Sequence, residues 1–366
     1  MPEHLAFLVP ELGKGGAERA VANLASELAR RGRKVSVLTL RAGGAYEAML
    51  HPDVALINLD LASARRVIGP LAKAVRAYRI DAVFTVLFHL DLYTLVSRLI
   101  YGWKAKVILC FQNTPSVVAR ESASRSERLL MRLYRVLGRR ADQFFAISQG
   151  VGDDAAEFFG IDTAAIRVIS NPIVDPSAPP PSPIDLKALF DKPPASILVA
   201  SGRLTKQKDY PTLLAALAQL RATRDVGLVV LGEGELKEAL ETRVAELNLT
   251  DHIRFVGFQT RPLDWMAGAD LFVLSSLWEG LANVVVEALW VGLPVVSTDC
   301  PYGPAEILVG GQFGRLVPIS DPAALAKAID AELDQSRPAE SLRARALDFS
   351  IGAIADRYDQ SLFKVG

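Results

Sequence analysis

Short apolar runs alternate along this chain with stretches whose apolar positions recur at three- and four-residue intervals, the pattern of strands followed by amphipathic helices. Residues 5–9, 35–40, 82–87, 107–111 and 143–147 read as buried strands, and 167–169 as a short edge strand. A helical pattern follows the first run, from a glycine-rich turn to Arg31. Between residues 171 and 183 stand Pro172, Pro176, Pro179, Pro180, Pro181 and Pro183, and such a segment sustains neither a helix nor a central strand. The alternation then restarts. Residues 196–201, 226–232, 253–256, 271–274, 295–298 and 315–317 read as strands, with helices over 210–220 and 235–248. Strands alternating with helices imply parallel βαβ units. The expected class is therefore α/β, with two doubly wound Rossmann-like domains facing a central cleft, divided between residues 178 and 179.

Composition narrows the picture. Half of the 366 residues are hydrophobic and 22% are charged, which suits two globular domains and argues against disorder. Two cysteines, Cys110 and Cys300, do not make a disulfide framework and fit a reducing compartment. No apolar run reaches the ~20 residues of a membrane-spanning helix, and the N-terminus lacks the features of a signal peptide. A cytoplasmic location is expected, at the inner membrane face if the chain touches lipid. The 41 basic and 41 acidic side chains cancel, so no domain-wide basic excess points to nucleic acid. The balance is uneven, however: residues 1–178 carry 23 Lys/Arg against 17 Asp/Glu, or +6, and the remainder carries −6. Much of the excess lies in residues 119–140. There Arg120, Arg125, Arg128, Arg132, Arg135, Arg139 and Arg140 face only Glu121 and Glu127, with Leu129, Leu130, Leu133 and Leu137 at helical spacing. A basic amphipathic helix of this kind suits an anionic membrane surface; packing of its leucines into its own domain is the alternative.

Three loops carry candidate chemistry. After the first strand, Gly13-Lys14-Gly15-Gly16-Ala17-Glu18 places glycines before a helix N-terminus, where backbone amides approach an anion. Glu18 stands where a dinucleotide fingerprint requires glycine, and Gly13-Lys14 is followed by Gly15 where a P-loop requires Ser or Thr, so neither motif is present. After the strand at 196–201 comes Gly202-Arg203-Leu204-Thr205-Lys206-Gln207-Lys208, at a position where α/β sheets bind ligands. Arg203 and Lys208 are suited to one phosphate group. The third loop is Ser276-Leu277-Trp278-Glu279-Gly280-Leu281-Ala282-Asn283-Val284-Val285-Val286-Glu287. Asn283 reads as a helix N-cap, which leaves Glu279 in the loop and Glu287 near the first helical turn. Both carboxylates can then face one pocket, the amides of 281–285 can hold a phosphate, and a carboxylate suits vicinal hydroxyls.

Together these segments resemble the retaining glycosyltransferases of family four, over essentially the whole chain. Gly15-Gly16-Ala17-Glu18 is similar to the family's first-loop motif, Gly202-Arg203-Leu204 with Lys208 to its pyrophosphate element, and Glu279 with Glu287 to its Glu-x7-Glu motif. Gly232-Glu233-Gly234 and Val256-Gly257-Phe258 resemble elements near the nucleotide base. Residues 346–366, with Phe349, Ser350 and Tyr358, resemble a terminal helix that crosses back from a donor domain at 179–345 to the first domain. The resemblance implies a GT-B fold and a hexose or N-acetylhexosamine moved from a UDP- or GDP-sugar to a lipid-linked or polysaccharide acceptor. No metal or other cofactor is implied. Arg203 and Lys208 would meet the diphosphate and Glu279 the donor sugar, with Glu287 on the ribose. Gly15, Gly16, Gly202, Gly234, Phe258, Gly280, Leu281 and Asn283 would line the donor site. Many relatives have a histidine where this chain has Gln112, which leaves Gln112 or His89 as acceptor-side candidates, and many have proline or glycine at Ala282. A non-catalytic nucleotide-sugar or carbohydrate binding protein is the alternative. An NAD-dependent oxidoreductase is a further one, which Glu18 opposes.

Overall fold

The computed structural model describes residues 2–13, 15–121 and 124–363. It divides into two compact units, one of residues 1–173 with 350–366 and the other Val174–Phe349. In the first, β1 (His4–Val9), β2 (Lys34–Thr39), β3 (Ala55–Asn58), β4 (Ala82–Thr85), β5 (Lys106–Phe111), β6 (Gln143–Ala146) and β7 (Ile166–Val168) form one sheet. The spatial order is β3-β2-β1-β4-β5-β6-β7, and every neighbouring pair is parallel. Its helices include α1 (Gly16–Arg30), α2 (Ile68–Ala77), α3 (Phe88–Tyr101), α4 (Pro115–Glu121), α5 (Arg125–Leu137) and α6 (Gln149–Phe159). Crossover helices cover both faces of such a sheet, so its central strand is buried along its whole length: all six residues of β1 are buried. The strand β3 was not legible. It is a four-residue edge strand with three residues exposed, too short and too open to leave a hydropathy signal.

The second unit repeats the plan. Strands β8 (Ser196–Ser201), β9 (Val226–Leu231), β10 (Ile253–Gly257), β11 (Leu271–Leu274), β12 (Val295–Thr298) and β13 (Arg315–Val317) lie in the order β10-β9-β8-β11-β12-β13, again all parallel. Around them run α7 (Tyr210–Leu220), α8 (Lys237–Glu246), α9 (Pro262–Ala267), α10 (Asn283–Val291), α11 (Pro304–Ile307), α12 (Pro322–Leu333) and α13 (Ala339–Leu347). Strand order reverses between β1 and β4 in one sheet and between β8 and β11 in the other. Loops leaving the carboxyl ends of those strands flank the crevice where open α/β sheets take ligands.

The chain leaves the first unit inside the proline-rich segment, whose start is pinned there: Asn171 and Ile173 are buried, and the Asn23 amide donates to Pro172 O at 2.9 Å. After α13 it returns, and α14 (Ile351–Phe363) packs on the first unit. Tyr358 of α14 enters the aromatic core, 5.9 Å from the Phe84 ring and 5.4 Å from Phe145. Arg31 pairs with Asp356 at 2.7 Å, and Arg33 grips Asp359 through two nitrogens at 2.7 and 3.0 Å.

The basic stretch at 119–140 is not one continuous helix. Ser124 starts α5 afresh through a capping box with Glu127, after α4 has ended at Glu121; Ser122 and Ala123 lie outside the described residues. Its leucines also divide. Met131 and Tyr134 are the buried residues of α5, Leu130 and Leu137 pack partly against the core, and Leu129, Leu133 and Val136 point to solvent.

Candidate functional site

In the second unit the first loop is built around Gly202. Its φ of +159° is one that L side chains rarely adopt, and a Cβ there would stand 2.8 Å from Lys208 Cε. The chain therefore lies flat against the lysine stem. A short turn over Lys206–Lys208, closed by the Lys208 N to Thr205 O bond at 3.1 Å, folds Lys208 back toward Gly202. Asp209 then takes a left-handed conformation, φ +43°, as the chain enters α7. Arg203 is exposed, and its guanidinium engages none of the described residues.

The loop after β9 crosses this one at backbone distance. A Cβ on Gly232 would lie 2.0 Å from Gly202 O, and one on Gly234 2.4 Å from Leu204 O. Leu204 N donates to Glu233 O at 2.9 Å, and Leu236 N to Leu204 O at 3.0 Å. Gly234 thus serves a close crossing of two main chains. Phe258 follows β10 and is half-buried; Gly257 O accepts from Gly232 N at 2.8 Å, which ties that strand end to the same cluster.

The loop after β11 brings in the carboxylates. Glu279 is buried, and Lys208 Nζ lies 2.5 Å from its Oε1. Ser276 Oγ donates to the same oxygen at 2.6 Å, while Gln207 Nε2 stands 3.5 Å from Oε2. The main chain is pinned by Glu279 N to Pro301 O at 2.8 Å and Tyr302 N to Glu279 O at 2.9 Å. Gly280 and Leu281 continue this buried loop. Asn283 does not cap the helix that follows. Ala282 occupies the N-cap in the left-handed region, φ +68°, and Asn283 is the first residue of α10. Alanine has no side chain able to cap this helix start. Its first-turn amides therefore form the kind of N-terminus that favours an anion. Glu287 is buried on α10.

The first unit places its candidates at the carboxyl ends of β1, β4 and β5. Gly15 is the N-cap of α1 with φ −87°, which any residue can adopt, and Gly16 is the first helical residue; Lys14 lies outside the described residues. His89 sits in the first turn of α3, edge-on to Phe88 at 5.4 Å, and burial lowers its pKa. Gln112 exchanges two side-chain bonds with buried Asn171: Nε2 donates to Asn171 Oδ1 at 3.1 Å, and Asn171 Nδ2 donates to Gln112 Oε1 at 2.9 Å. These two bonds fix the orientation of the half-buried Gln112 amide.

Known proteins share both halves of this arrangement. Residues 14–175 match the family described as Glycosyltransferase Family 4, and residues 185–348 the family described as Glycosyl transferases group 1. Both halves match glycosyltransferase families, and the fold is GT-B. A Campylobacter jejuni protein named as an N-acetylgalactosamine-N,N'-diacetylbacillosaminyl-diphospho-undecaprenol 4-alpha-N-acetylgalactosaminyltransferase is 27% identical over 94% of each chain. A lipopolysaccharide core biosynthesis glycosyltransferase of Rhizobium meliloti is 34% identical over 48% of this chain and 52% of its own length. The solved structure of Anabaena HepE, in complex with UDP and glucose, superposes with a TM-score of 0.81 at 22% identity, covering 99% of this chain and 100% of that one.

This glycosyltransferase has features that local sequence did not mark. Asp91, two residues beyond His89, is wholly buried; Tyr134 Oη donates to its Oδ2 at 2.5 Å, and burial pushes its pKa up to about 7. Gly44 crosses the first loop so closely that a Cβ would lie 1.9 Å from Leu12 O. The Gly43-Gly44 pair was the available signal. Among the described residues no group of three or more His, Cys, Asp or Glu side chains could hold a metal ion, and no helix is long and apolar enough to cross a membrane.

Proposed function

We propose that this glycosyltransferase moves a hexose or N-acetylhexosamine, with retention of configuration, from a UDP- or GDP-sugar to a lipid-linked or polysaccharide acceptor. One observation carries the proposal: Arg203, Lys208, Glu279 and the start of α10 gather at the strand-order reversal of the second unit. Loss of a nucleoside diphosphate builds negative charge on oxygen, and fixed cations and helix amides stabilise that change. Exposed Arg203 supplies a bidentate donor and Lys208 a point charge. Buried Glu279 lies beside Lys208, where its charge favours positive charge developing at the anomeric carbon. Glu287 takes the ribose hydroxyls, and attack comes from the same face with the diphosphate as base. Gly15 and Gly16 let the first unit approach the donor phosphates, and His89 and Gln112 are the acceptor-side candidates. The names of relatives favour this donor and acceptor: the Campylobacter relative's names a diphospho-undecaprenol, and HepE was solved with UDP and glucose.

The test is a thermal-shift panel of UDP-, GDP- and ADP-sugars, followed by hydrolysis and transfer with the best donor and NMR of the product anomer. Stabilisation by one class and a product with the donor's anomeric configuration are expected. No stabilisation by any nucleotide sugar, or an inverted product, would overturn the proposal.

The exposed face of α5 adds a membrane partner. Leu129, Leu133 and Val136 are exposed beside exposed Arg128 and Arg132, an arrangement that suits an anionic lipid surface. Flotation with anionic vesicles should weaken with salt, and weaken further in an Arg128→Ala/Arg132→Ala variant. Equal flotation with neutral vesicles would refute the electrostatic part.

A further inference from the structure

Lys208 meets Glu279 here and, in the donor chemistry proposed above, also serves a diphosphate, so the other contacts of Glu279 decide what fixes the carboxylate when the ammonium is drawn to the donor. Two donors meet Oε1: the ammonium of Lys208 at 2.5 Å and the hydroxyl of Ser276 at 2.6 Å. They differ in freedom. Lys208 lies on a flexible stem against Gly202, whereas Ser276 is fully buried and has its own carbonyl held by Thr298 Oγ1 at 2.6 Å. Thr298, also fully buried, ends the central strand β12. Ser275 Oγ meanwhile donates to Lys208 O at 2.7 Å, which fixes the lysine main chain and leaves its side chain as the movable part.

From this we infer that Ser276 is a positioning residue for the transfer reaction. It holds the Glu279 carboxylate in place while Lys208 Nζ passes to the donor diphosphate. A neutral hydroxyl is suited to this role because it orients the carboxylate without cancelling its charge. Gln207, whose Nε2 is anchored at 2.9 Å to Trp278 O, stands by the second oxygen and supports the same orientation. The inference rests on the donor chemistry proposed above and adds a residue that does not touch the donor.

Steady-state transfer and donor titrations on the full chain with Ser276→Ala, Ser276→Cys and Thr298→Val provide the test. Removing one hydrogen bond to a charged group should lower kcat about ten- to a hundredfold while leaving donor Kd within about threefold. Ser276→Cys, a weak donor of similar size, should fall between alanine and parent. Thr298→Val, which keeps the shape and removes the anchor, should lower kcat in the same direction. A structural role alone would instead lower melting temperature and weaken donor binding together. Unchanged kcat in both Ser276→Ala and Thr298→Val overturns the inference, as does loss of donor binding with kcat preserved. If Ser276→Ala does not fold, the cysteine and Thr298 variants decide. Failure of the donor proposal is distinguishable, since the parent itself would then show no turnover.

Discussion

Replacing Gly234 by alanine puts a methyl group where the backbone of Leu204 already stands. The new Cβ would lie 2.4 Å from Leu204 O and 2.7 Å from its N and C, main-chain atoms that cannot rotate aside. The loops must part, and the same loops are joined by the bonds Leu204 N to Glu233 O and Leu236 N to Leu204 O. Losing both costs ~0.5–1.5 kcal/mol each, and the strain of overpacking adds ~1–3 kcal/mol, so the expected loss is roughly 2–6 kcal/mol. For a unit of this size each kcal/mol moves the midpoint about 2–4 °C, so the drop should be about 4–24 °C. Gly352, near the start of α14, is the matched control: a Cβ there meets nothing within 4 Å, and alanine in a helix should stabilise by about 0.5–1 kcal/mol. Differential scanning calorimetry reads both variants. Because the displaced loop carries Arg203, donor affinity of Gly234→Ala should also fall about tenfold, or ~1.4 kcal/mol. A Gly234→Ala midpoint within about 2 °C of the parent, or an equal loss in Gly352→Ala, would refute the argument from backbone crossing.

Three further outcomes follow from other places in the fold. Burial raises Asp91 from its ordinary 3.8 to about 7, so this group contributes stability that is fully present below about pH 4 and lost as pH rises to about 7. The difference amounts to ~4 kcal/mol at ~1.4 kcal/mol per pKa unit; the gap in unfolding free energy between parent and Asp91→Asn should change in that window, and a pH-independent gap would count against it. Ala282 caps α10 at φ +68°, so Ala282→Gly should be neutral to about 1 kcal/mol stabilising, whereas Ala282→Pro, locked near −65°, should lose about 3 kcal/mol in urea titrations. Arg33→Ala removes a two-nitrogen grip on the mostly buried Asp359 side chain, and should cost ~1–2 kcal/mol after allowance for the arginine's exposure. Earlier proteolysis of α14 is its readout.

Sequence alone was enough for the α/β class, nearly every strand and the membership of the second unit's loop cluster. Buried parallel strands are continuous apolar runs, so β8, β9, β11 and β12 are visible from their own residues. Glu279 and Glu287 are eight positions apart in a loop-to-helix transition, and Gly202 directly follows a strand, so local spacing marks them too. What remained hidden depends on distant partners. The Lys208–Glu279 pair joins residues 71 apart, and Gln112 meets Asn171 across 59. No local pattern shows that Asp91 is buried against Tyr134, or that Leu129 faces solvent while Met131 faces inward. The cap of α10 is a case in between. Asn283 has the better intrinsic preference for an N-cap, but the loop around Glu279, tied to Pro301 and Tyr302, delivers Ala282 to that position instead. Short-range propensity is a property of neighbours in the chain and can be summed from sequence. The choice of which donor meets which acceptor is made by the packing of whole elements, and only the folded chain contains it.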